Sequence, residues 1–470
     1  MNKSTPVRSG DLQVAMAVRS TAAVRLGAAP PRHGDLKVAA TGGRLAALDG
    51  ILVLALGAVF AASPAPGLCT GDCNRDDVVS INELLSGVNI SLGGADMSSC
   101  PDFDRNGDGR VSVDELIAAV SSALNGCTRQ TQAFVVTTDF TTGSFGTVQL
   151  DPPHAVMRSS PNHLLHRDAV VRTDGTLVYV VNRLFADNIQ VLDPSQHFAT
   201  RMECSTGNGT NPHDIAFARP DKAYVTLFER STLLIVDPTA PPNCANFDRG
   251  TIDLSSLADA DGNPDMDQMA IVGNRLYVSL ERLDINTVLR IPATNGALAV
   301  IDTSTDEVIG SIELVGKNPF AATKGLLVYD GAIYVADNGL FNVLDGGIER
   351  IDLATQQSDG FVVTEEELGG DITDFVLISD HLAYAVIGRP NLTNALLAFD
   401  PSSGQILNTL LDVRGFSLFD IELNDRGELY VADRTRDASG IRIFRAADGV
   451  QLTDKPLDLL LPPFEIVFVP

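Results

Sequence analysis

The sequence of 470 residues has no tryptophan, only six cysteines, and far fewer basic than acidic residues, 34 against 60, for a formal net charge of -26. So acidic a chain does not favour nucleic acid or anionic membranes as partners. Without tryptophan a carbohydrate-stacking groove is less expected, although Tyr and Phe leave it open. A phosphate-binding loop, a dinucleotide fingerprint and a Gly-x-Ser-x-Gly elbow are also missing, so these enzyme classes have no signature here.

Long apolar runs are scarce as well. One run, residues 51–62, is too short to cross a bilayer but suits the apolar region of a signal peptide, with Arg44 before it and small residues at its end. We expect residues 1–68 to be a leader, and the protein to be secreted to the extracellular space, the periplasm or the cell surface, with no later membrane span. A lipid anchor at Cys69 is the alternative, but Leu68 stands where a lipobox has a small residue.

Four of the six cysteines fall in one short stretch, at Cys69, Cys73, Cys100 and Cys127. A small domain with little core needs cross-links, and disulfides provide them in oxidising compartments. Four cysteines allow three pairings, and the sequence does not choose among them. A zinc site is the alternative, which neither the spacing nor the nearby residues favour. For Cys204 and Cys244, farther along the chain, pairing with each other is one open possibility.

These cysteines bracket two acidic loops, residues 72–83 and 104–115. Each loop carries oxygen donors at positions 1, 3, 5, 9 and 12 and a backbone carbonyl at position 7, the pattern of an EF-hand calcium loop. Gly109 permits the sharp turn at position 6 of the second loop, whereas Asp77 stands there in the first, so we expect a weaker first site. The alternative for the first loop is a shape kept without metal. The predicted calcium ligands are Asp72, Asn74, Asp76, Val78, Ser80, Glu83, Asp104, Asn106, Asp108, Arg110, Ser112 and Glu115.

Each loop leads into an amphipathic helix, because apolar residues follow it at spacings of three and four. They are Leu84, Leu85, Val88, Ile90 and Leu92 after the first loop, and Leu116, Ile117, Val120 and Leu124 after the second. This loop-and-helix unit, repeated between Asp72 and Asp104, resembles the type I dockerin module over residues 69–127. The resemblance implies a cohesin-like extracellular protein partner and a place in a polysaccharide-degrading system.

The chain departs from that family in two respects. At loop positions 10 and 11, where dockerins often carry small hydroxyl residues for recognition, it has Ile81-Asn82 and Val113-Asp114. Glu83 and Glu115 close the loops at position 12, where dockerins commonly have Asp. Calcium binding is therefore predicted from the loop residues themselves, and cohesin binding only from the resemblance.

Residues 128–470 form a repeat, marked by one aromatic residue within a short apolar segment. The marker recurs at intervals of 45, 45, 53, 57, 50 and 46 residues, at Phe134, Tyr179, Tyr224, Tyr277, Tyr334, Tyr384 and Tyr430. A second apolar segment follows in each unit and usually ends in Asp, which turn chemistry explains better than catalysis. Seven such units predict a mainly β fold, a seven-bladed β-propeller.

The repeat resembles the Tyr-Val-Thr-Asn family of propellers, with its closest echo at residues 179–182. That resemblance implies the fold and no particular activity. The last segment, residues 464–469, is similar to an inner strand, so we expect it to complete the first blade and close the ring. The predicted domains are thus the leader (1–68), a small α-helical calcium-binding EF-hand pair (69–127) and the propeller (128–470).

Two groups of propeller residues are candidates for a site. Polar residues recur where inner strands begin, at Asp168, Asp214, Gln268, Lys324, Asp374, Asp420 and Glu465. They predict either a ring that binds a cation or polar ligand at the channel mouth, or caps of strand ends that face water. His154, His163, His166 and His213 could form a metal or acid–base cluster with Asp168, or could bond locally within loops.

These features give two functional hypotheses. The first is a secreted calcium-binding protein whose propeller is a recognition or scaffold domain, without enzymatic activity. The second is an extracellular hydrolase or lactonase that uses the channel mouth, with no catalytic residues assigned. Side chains that converge on one point at the mouth would favour the second hypothesis.

Overall fold

The computed structural model describes residues 69–74, 78–104, 110–125, 130–287, 290–320 and 326–470. The predicted leader, residues 1–68, lies outside this part of the chain. The described residues form an N-terminal module with two helices, followed by 28 strands. No described helix has both the length and the apolar character needed to span a membrane.

The two helices of the N-terminal module, α1 (Ile81–Ser91) and α2 (Val113–Asn125), begin in the same way. Ser80 precedes α1; its backbone N–H donates to Glu83 Oε2 at 2.8 Å and its side chain accepts from the Glu83 N–H at 3.4 Å. The pair Ser112 and Glu115 repeats these bonds at 2.8 and 3.3 Å before α2. Such a reciprocal capping box satisfies backbone donors that a helix start leaves unpaired.

The core of this module is small and centres on Phe103, which is fully buried. Its ring lies so close to α1 that a Cβ added at Gly87 would be 2.3 Å from it. A disulfide joins Cys73 to Cys100, one of the pairings that the sequence left open, and Cys69 is also disulfide-bonded.

The apolar residues of the two helices divide between the core and the surface. Leu84, Ile90 and Leu116 pack into the core, as the helical spacing predicts. Two further rows, each with spacings of four, three and four residues, remain exposed on α1 and α2, up to 79 % for the last residue of each. They are Ile81, Leu85, Val88 and Leu92, and Val113, Ile117, Val120 and Leu124. Only some of the apolar residues that give the helices their amphipathic pattern are therefore buried in the core, and the others are exposed.

Seven antiparallel sheets follow, one for each predicted blade. Blade 1 contains β28 (Pro463–Val469), β1 (Gln132–Thr138), β2 (Gly143–Gln149), β3 (Val156–Met157) and β4 (Leu164–Leu165). Blade 2 contains β5 (Ala169–Thr173), β6 (Val178–Asn182), β7 (Asn188–Asp193) and β8 (Ala199–Ser205). Blade 3 contains β9 (Pro212–Arg219), β10 (Lys222–Leu227), β11 (Thr232–Val236) and β12 (Asp248–Asp253).

The remaining blades follow the same order from the inner strand outward. Blade 4 contains β13 (Met266–Val272), β14 (Arg275–Leu280), β15 (Ala297–Asp302) and β16 (Glu307–Glu313). Blade 5 contains β17 (Leu327–Tyr329), β18 (Ala332–Asp337), β19 (Gly347–Asp352) and β20 (Gln357–Thr364), followed by a short helix, α3 (Glu365–Leu368). Blade 6 contains β21 (Asp371–Ser379), β22 (Leu382–Arg389), β23 (Thr393–Asp400) and β24 (Gln405–Arg414). Blade 7 contains β25 (Leu418–Leu423), β26 (Glu428–Asp433) and β27 (Gly440–Arg445).

The ring closes as the sequence predicts. The C-terminal strand β28 pairs with β1, with Val467 opposite Phe134 and Val469 opposite Gln132. The last strand thereby supplies the inner strand of the first blade. Pairing the last strand of the propeller with its first strand covers the inner edge of β1.

The aromatic marker lies in the second strand of every blade, where it packs between neighbouring sheets. Three of the tyrosines also reach the turn after the third strand of the next blade. Tyr224 Oη donates to Asp306 Oδ1 at 2.5 Å, Tyr384 Oη donates to the Ala446 carbonyl at 2.8 Å, and Gln356 Nε2 donates to Tyr277 Oη at 2.8 Å. The repeat therefore combines a buried ring with a bond between blades.

The aspartate at the end of the third strand initiates a turn, as its sequence context predicts. Its carboxylate accepts a bond from a backbone N–H two residues later, the Asx-turn arrangement. The pairs are Asp193 with Ser195, Asp237 with Thr239, Asp302 with Ser304, Asp352 with Ala354 and Asp400 with Ser402, at 2.8–2.9 Å. A disulfide between Cys204 in β8 and Cys244 before β12 ties blade 2 to blade 3, so these two cysteines do pair with each other.

Candidate functional site

The first acidic loop folds back on its own closing residue. Glu83 Oε1 accepts from the backbone N–H groups of Cys73 at 3.0 Å and Asn74 at 3.2 Å, at loop positions 2 and 3. Although burial opposes it, bonds from Ser80, Asn74 and Cys73 hold the pKa of Glu83 below its ordinary value. The loop thus keeps an anionic oxygen donor near Asp72, which is 3 % exposed.

The described ligands fit the donor set that calcium requires, since they offer only carboxylate, amide, hydroxyl and carbonyl oxygens. Glu115 closes the second loop and is 5 % exposed. Asp76, Asn106 and Asp108 lie outside the described residues. Across the described ranges no group of three or more His, Cys, Asp or Glu side chains is arranged to hold a metal ion. Calcium therefore stays a prediction.

In the propeller, the predicted ring residues join one inner strand to the next. Asp214 Oδ2 accepts from Met269 N–H at 2.8 Å, Asp374 Oδ2 from Ile421 N–H at 2.7 Å, and Asp420 Oδ2 from Ile466 N–H at 2.7 Å. Glu465 accepts from Val171 N–H in the same way. Each carboxylate thus bonds to the backbone of the following blade. This arrangement supports a structural role in holding the blades together.

One cation, which the sequence did not single out, joins two members of this ring. Arg172 Nε lies 2.7 Å from Asp214 Oδ1, and its Nη1 lies 2.5 Å from Glu465 Oε1. The prediction of Asp168 as the ring residue of blade 2 was wrong. The strand register places Val170 there, because Val171 lies opposite Val180 as Ile215 lies opposite Val225. Asp168, two residues earlier, instead accepts bonds from Arg183 at 2.9 and 2.6 Å.

Gln268 is buried at its predicted position in blade 4, and Lys324 lies outside the described residues.

The four histidines do not gather with Asp168 into a single cluster. His154 Nδ1 contacts the Gln149 carbonyl at 3.1 Å, and His166 Nδ1 contacts the backbone of Asp168. The ring of His163 stacks on Phe145 at 4.7 Å. Local bonding, one of the two interpretations of the sequence, therefore describes His154 and His166, whereas His163 Nδ1 has no hydrogen-bond partner among the described residues.

His213 is different, because its partner is a carboxylate from the next blade. His213 Nδ1 lies 2.8 Å from Asp267 Oδ1, and the imidazole stacks on Phe228 at 4.3 Å with an angle of 11° between the rings. Burial, with Asp267 beside it, holds the pKa of Glu281 well above its ordinary value. A carboxylate at Nδ1 orients a histidine whose other nitrogen could exchange a proton. Sequence reasoning missed both carboxyls. Asp267 comes directly before Gln268, the ring residue of blade 4, and Glu281 comes directly after β14, and only this placement could have pointed to them.

A second group of buried carboxyls lies in blade 5. Glu349 accepts from Val315 N–H and Gly316 N–H at 3.0 Å, while Glu365 accepts from Gly346 N–H at 3.0 Å and Ile372 N–H at 3.1 Å. Within the described residues neither carboxylate oxygen of Asp337 has a hydrogen-bond partner. Burial, strengthened by Glu349, holds the pKa of Asp337 well above its ordinary value. Burial and the neighbouring Glu349 therefore both favour the protonated form of Asp337.

A cavity of about 770 Å³ lies at the other end of the inner strands. Its walls come from the inner strands and, at one side, from the second acidic loop and α2. Arg110 Nη1 lies 3.8 Å from Asp380 Oδ2, and Gln130 Oε1 accepts from Asp425 N–H at 3.1 Å. The second acidic loop therefore meets the turn of blade 6, and the segment just before β1 meets the turn of blade 7.

Seven antiparallel sheets around one channel, closed by the C-terminal strand, define the class of this protein as a seven-bladed β-propeller. No protein-family model matches the sequence, and no curated protein matches it.

Solved structures share the fold at low sequence identity. A protein from Bacteroides uniformis, provisionally assigned as a 6-phosphogluconolactonase, is 12% identical with a TM-score of 0.50, over 72% of this chain and 99% of that one. A functionally unknown protein from Desulfotomaculum acetoxidans is 12% identical with a TM-score of 0.46, over 72% and 98%. Apo AztD from Citrobacter koseri is 13% identical with a TM-score of 0.45, over 72% and 98%. Likeness at this level concerns the fold alone.

Proposed function

We propose that this protein is an exported calcium-binding protein in which an EF-hand pair of dockerin-like organisation is joined to a propeller that recognises a partner or serves as a scaffold. The observation that carries the proposal is the position of Glu83, whose carboxylate is held by backbone N–H groups at the start of its own loop. A bidentate glutamate in this place is what closes an EF-hand site around the ion.

Export is supported by the disulfides Cys73–Cys100 and Cys204–Cys244, since such bonds persist in oxidising compartments. A protein partner is supported by the two exposed apolar rows on α1 and α2, which match each other in spacing. Contiguous exposed apolar surface of this kind marks interaction sites. In the proposal an extracellular protein, cohesin-like by the resemblance, binds these rows.

The test is a calorimetric calcium titration of the full chain beside a Glu83→Gln/Glu115→Gln variant. Gln keeps the capping-box contact at the third helical position, so the helices should form while the ligand charge is lost. We expect about two ions per chain for the wild type, with Kd of roughly 10⁻⁴ to 10⁻³ M or tighter, as in extracellular modules. The double variant should bind none.

A Glu307→Gln/Glu366→Gln variant is the matched control, because it removes two exposed glutamates of the propeller. It should titrate like the wild type. Equal calcium binding by the loop variant and the wild type would contradict the proposal. One ion retained by the loop variant would assign that ion to another part of the chain.

A second candidate function, an extracellular hydrolase or lactonase, is favoured by one observation, the contact of His213 Nδ1 with Asp267 at 2.8 Å. An imidazole oriented in this way could act as a general base that activates water. The assay is lactone and aryl-ester hydrolysis by His213→Gln, beside His381→Gln, an exposed histidine, as the control. Under this alternative only His213→Gln loses activity, and inactive wild type contradicts it.

A further inference from the structure

We propose that Glu281, as a neutral carboxylic acid, donates a hydrogen bond to Asp267 and so holds the Asp267 carboxylate against the imidazole of His213. The three side chains then form one hydrogen-bonded chain that ends at His213 Nε2, the nitrogen that can exchange a proton with a bound molecule. The inference adds a positioning residue to the histidine of the second candidate function. It does not require hydrolysis, because its test measures protonation directly.

The strand register of blade 4 brings the two carboxyl groups together. Met266 lies opposite Leu280 in the pair of β13 and β14. Asp267 follows the first of these residues and Glu281 follows the second, so they are diagonal neighbours on adjacent strands. The Glu281 N–H also donates to the Asp265 carbonyl at 3.1 Å, which keeps the end of β14 beside the start of β13. The two carboxyl groups are therefore within hydrogen-bonding reach of each other.

Both carboxyl groups are buried, with exposed fractions of 4 % for Asp267 and 1 % for Glu281. Within the described part of the chain, Asp267 Oδ2 and Glu281 Oε1 each lack a hydrogen-bond partner. If both groups were ionised, two buried acceptors would face each other without a donor. Such unpaired groups cost free energy, because the water that they lose is not replaced. One proton on Glu281, donated to Asp267, supplies the missing donor.

The charges around the pair favour this proton. Burial, followed by the negative charges of Asp267 and Asp265, holds the pKa of Glu281 well above its ordinary value. The positive charge of Arg290 opposes this shift without cancelling it. Arg290 donates through its two terminal nitrogens to Glu229, at 3.3 and 3.1 Å, so its charge is already paired.

Two further charged groups act on Asp267 or are acted on by it, and each has a partner of its own. Arg183 donates to Asp168 at 2.9 and 2.6 Å. Asp214 is paired with Arg172 at 2.7 Å. The cations of the neighbouring blades are thus bonded to other carboxylates, and this leaves the role of donor to the acid beside Asp267.

The consequence of this arrangement concerns the imidazole of His213. With its second oxygen held by Glu281, Asp267 presents Oδ1 to His213 Nδ1 at 2.8 Å. A carboxylate in this position fixes the tautomer that carries its proton on Nδ1, so Nε2 can accept one. Stacking on Phe228 at 4.3 Å holds the plane of the ring. A carboxylic acid kept neutral at about pH 7 in order to donate a hydrogen bond is an established device of active sites.

The experiment is nuclear magnetic resonance of the full chain, labelled with ¹³C in the glutamate carboxyls and with ¹⁵N in histidine. At about pH 7, where an ordinary glutamate is ionised, the resonance that disappears in Glu281→Gln should have the chemical shift of a neutral acid. In the wild type His213 Nδ1 should carry its proton. Glu281→Gln should keep that proton in place, because the amide N–H replaces the donor. Glu281→Met, of similar size but without a donor, should lose it in a measurable fraction of the molecules.

Glu307→Met is the matched control, because it removes an exposed glutamate of the same blade and should leave the spectrum of His213 unchanged. The exposed His381 is a reference within each spectrum. A Glu281 resonance typical of a carboxylate would overturn the inference, and so would an Nδ1 proton that Glu281→Met retains in full. If Glu281→Met does not fold, the carboxyl resonance of the wild type decides. Wild type without hydrolytic activity would reject the second candidate function and leave this result intact.

Discussion

The N-terminal module and the propeller solve the problem of stability in different ways. The module buries few large side chains, chiefly Phe103, and depends on disulfides at Cys73–Cys100 and at Cys69 and on two capping boxes. The propeller repeats its contacts from blade to blade, through buried rings and carboxylates such as Asp374 and Asp420. A small domain cannot bury enough apolar surface to stabilise itself, whereas a large ring distributes the task over many similar interfaces.

The carboxyl groups of the two regions also differ, in the direction in which their pKa values are shifted. In the module, hydrogen bonds from Ser80, Asn74 and Cys73 outweigh the burial of Glu83 and keep its pKa below its ordinary value. In the propeller, burial raises the pKa of Glu365 to about 8 and holds that of Asp337 well above its usual range. The first environment favours a charged ligand for a cation, and the second favours a protonated, structural group. The comparison thus distinguishes a hydrogen-bonded carboxylate that stays charged from buried carboxyls whose neutral form is favoured.

The largest difference should appear when the ring is opened. Removing residues 463–470 deletes β28, so β1 loses its partner and the first blade loses its inner strand. We expect no folded propeller, with aggregation through the exposed edge. Far-UV circular dichroism and sedimentation of the soluble fraction measure this. Deleting Pro470 alone should have little effect, and a soluble, cooperatively melting truncation would contradict closure as the source of stability.

The next largest effect concerns the disulfides, which offer a matched pair. Cys73–Cys100 spans 27 residues and Cys204–Cys244 spans 40, so chain entropy gives each about 3.5–4 kcal/mol. We expect Cys73→Ser/Cys100→Ser to unfold the small module, because its core cannot absorb that loss. The variant Cys204→Ser/Cys244→Ser should lower propeller stability by a similar amount yet leave it folded.

Hydrogen exchange read by mass spectrometry distinguishes the two outcomes. In the first variant, protection should vanish over residues 81–125 and persist in the strands. In the second, all segments should stay protected, with a lower denaturant midpoint. If the module kept its protection without Cys73–Cys100, its core would be stronger than the contacts of Phe103 indicate.

Much of the fold could be predicted from the sequence, because the propeller repeats its signals. The aromatic marker, the turn-forming Asp and the C-terminal strand all follow local rules, and the structure confirms seven blades and their closure. The ring position in blade 2 could not be predicted, since Val170 carries no polar signal there. Arg172 was missed for a related reason, because its partners Asp214 and Glu465 lie far away in the sequence.

The candidate site was less predictable than the fold. Ligand positions within an acidic loop are contiguous, so the sequence names them directly, and for calcium they stay predictions. The contact of His213 with Asp267 joins neighbouring blades and depends on the register of two inner strands, which spacing alone does not define. The exposed rows on α1 and α2 have the same periodicity as buried ones, so the pattern predicts a helix but not which apolar residues are covered.

A smaller effect tests the bonds between blades. In Asp374→Ala the buried N–H of Ile421 loses its carboxylate acceptor, which should cost about 1–3 kcal/mol of unfolding free energy. The control is Asp454→Ala, which removes an exposed carboxylate and should change little. Urea unfolding followed by circular dichroism gives both values. Equal midpoints for the two variants would remove the ring carboxylates from the account of propeller stability.

The smallest effect is a change in pH dependence rather than in overall stability. Because the folded-state pKa of Asp337 is raised, its contribution is present at acidic pH and is lost as the pH rises from the unfolded-state pKa of about 4 towards the folded value. Asn keeps the shape of the side chain but does not titrate. As the pH rises above about 4, Asp337→Asn should therefore gain on the wild type by up to about 1.4 kcal/mol per pH unit until the folded-state pKa is reached. Urea unfolding at several pH values checks this, with Asp454→Asn as the control. A slope equal to that of the wild type would mean that Asp337 is ionised in the fold, and the contrast between the carboxyls of the two regions would then fail.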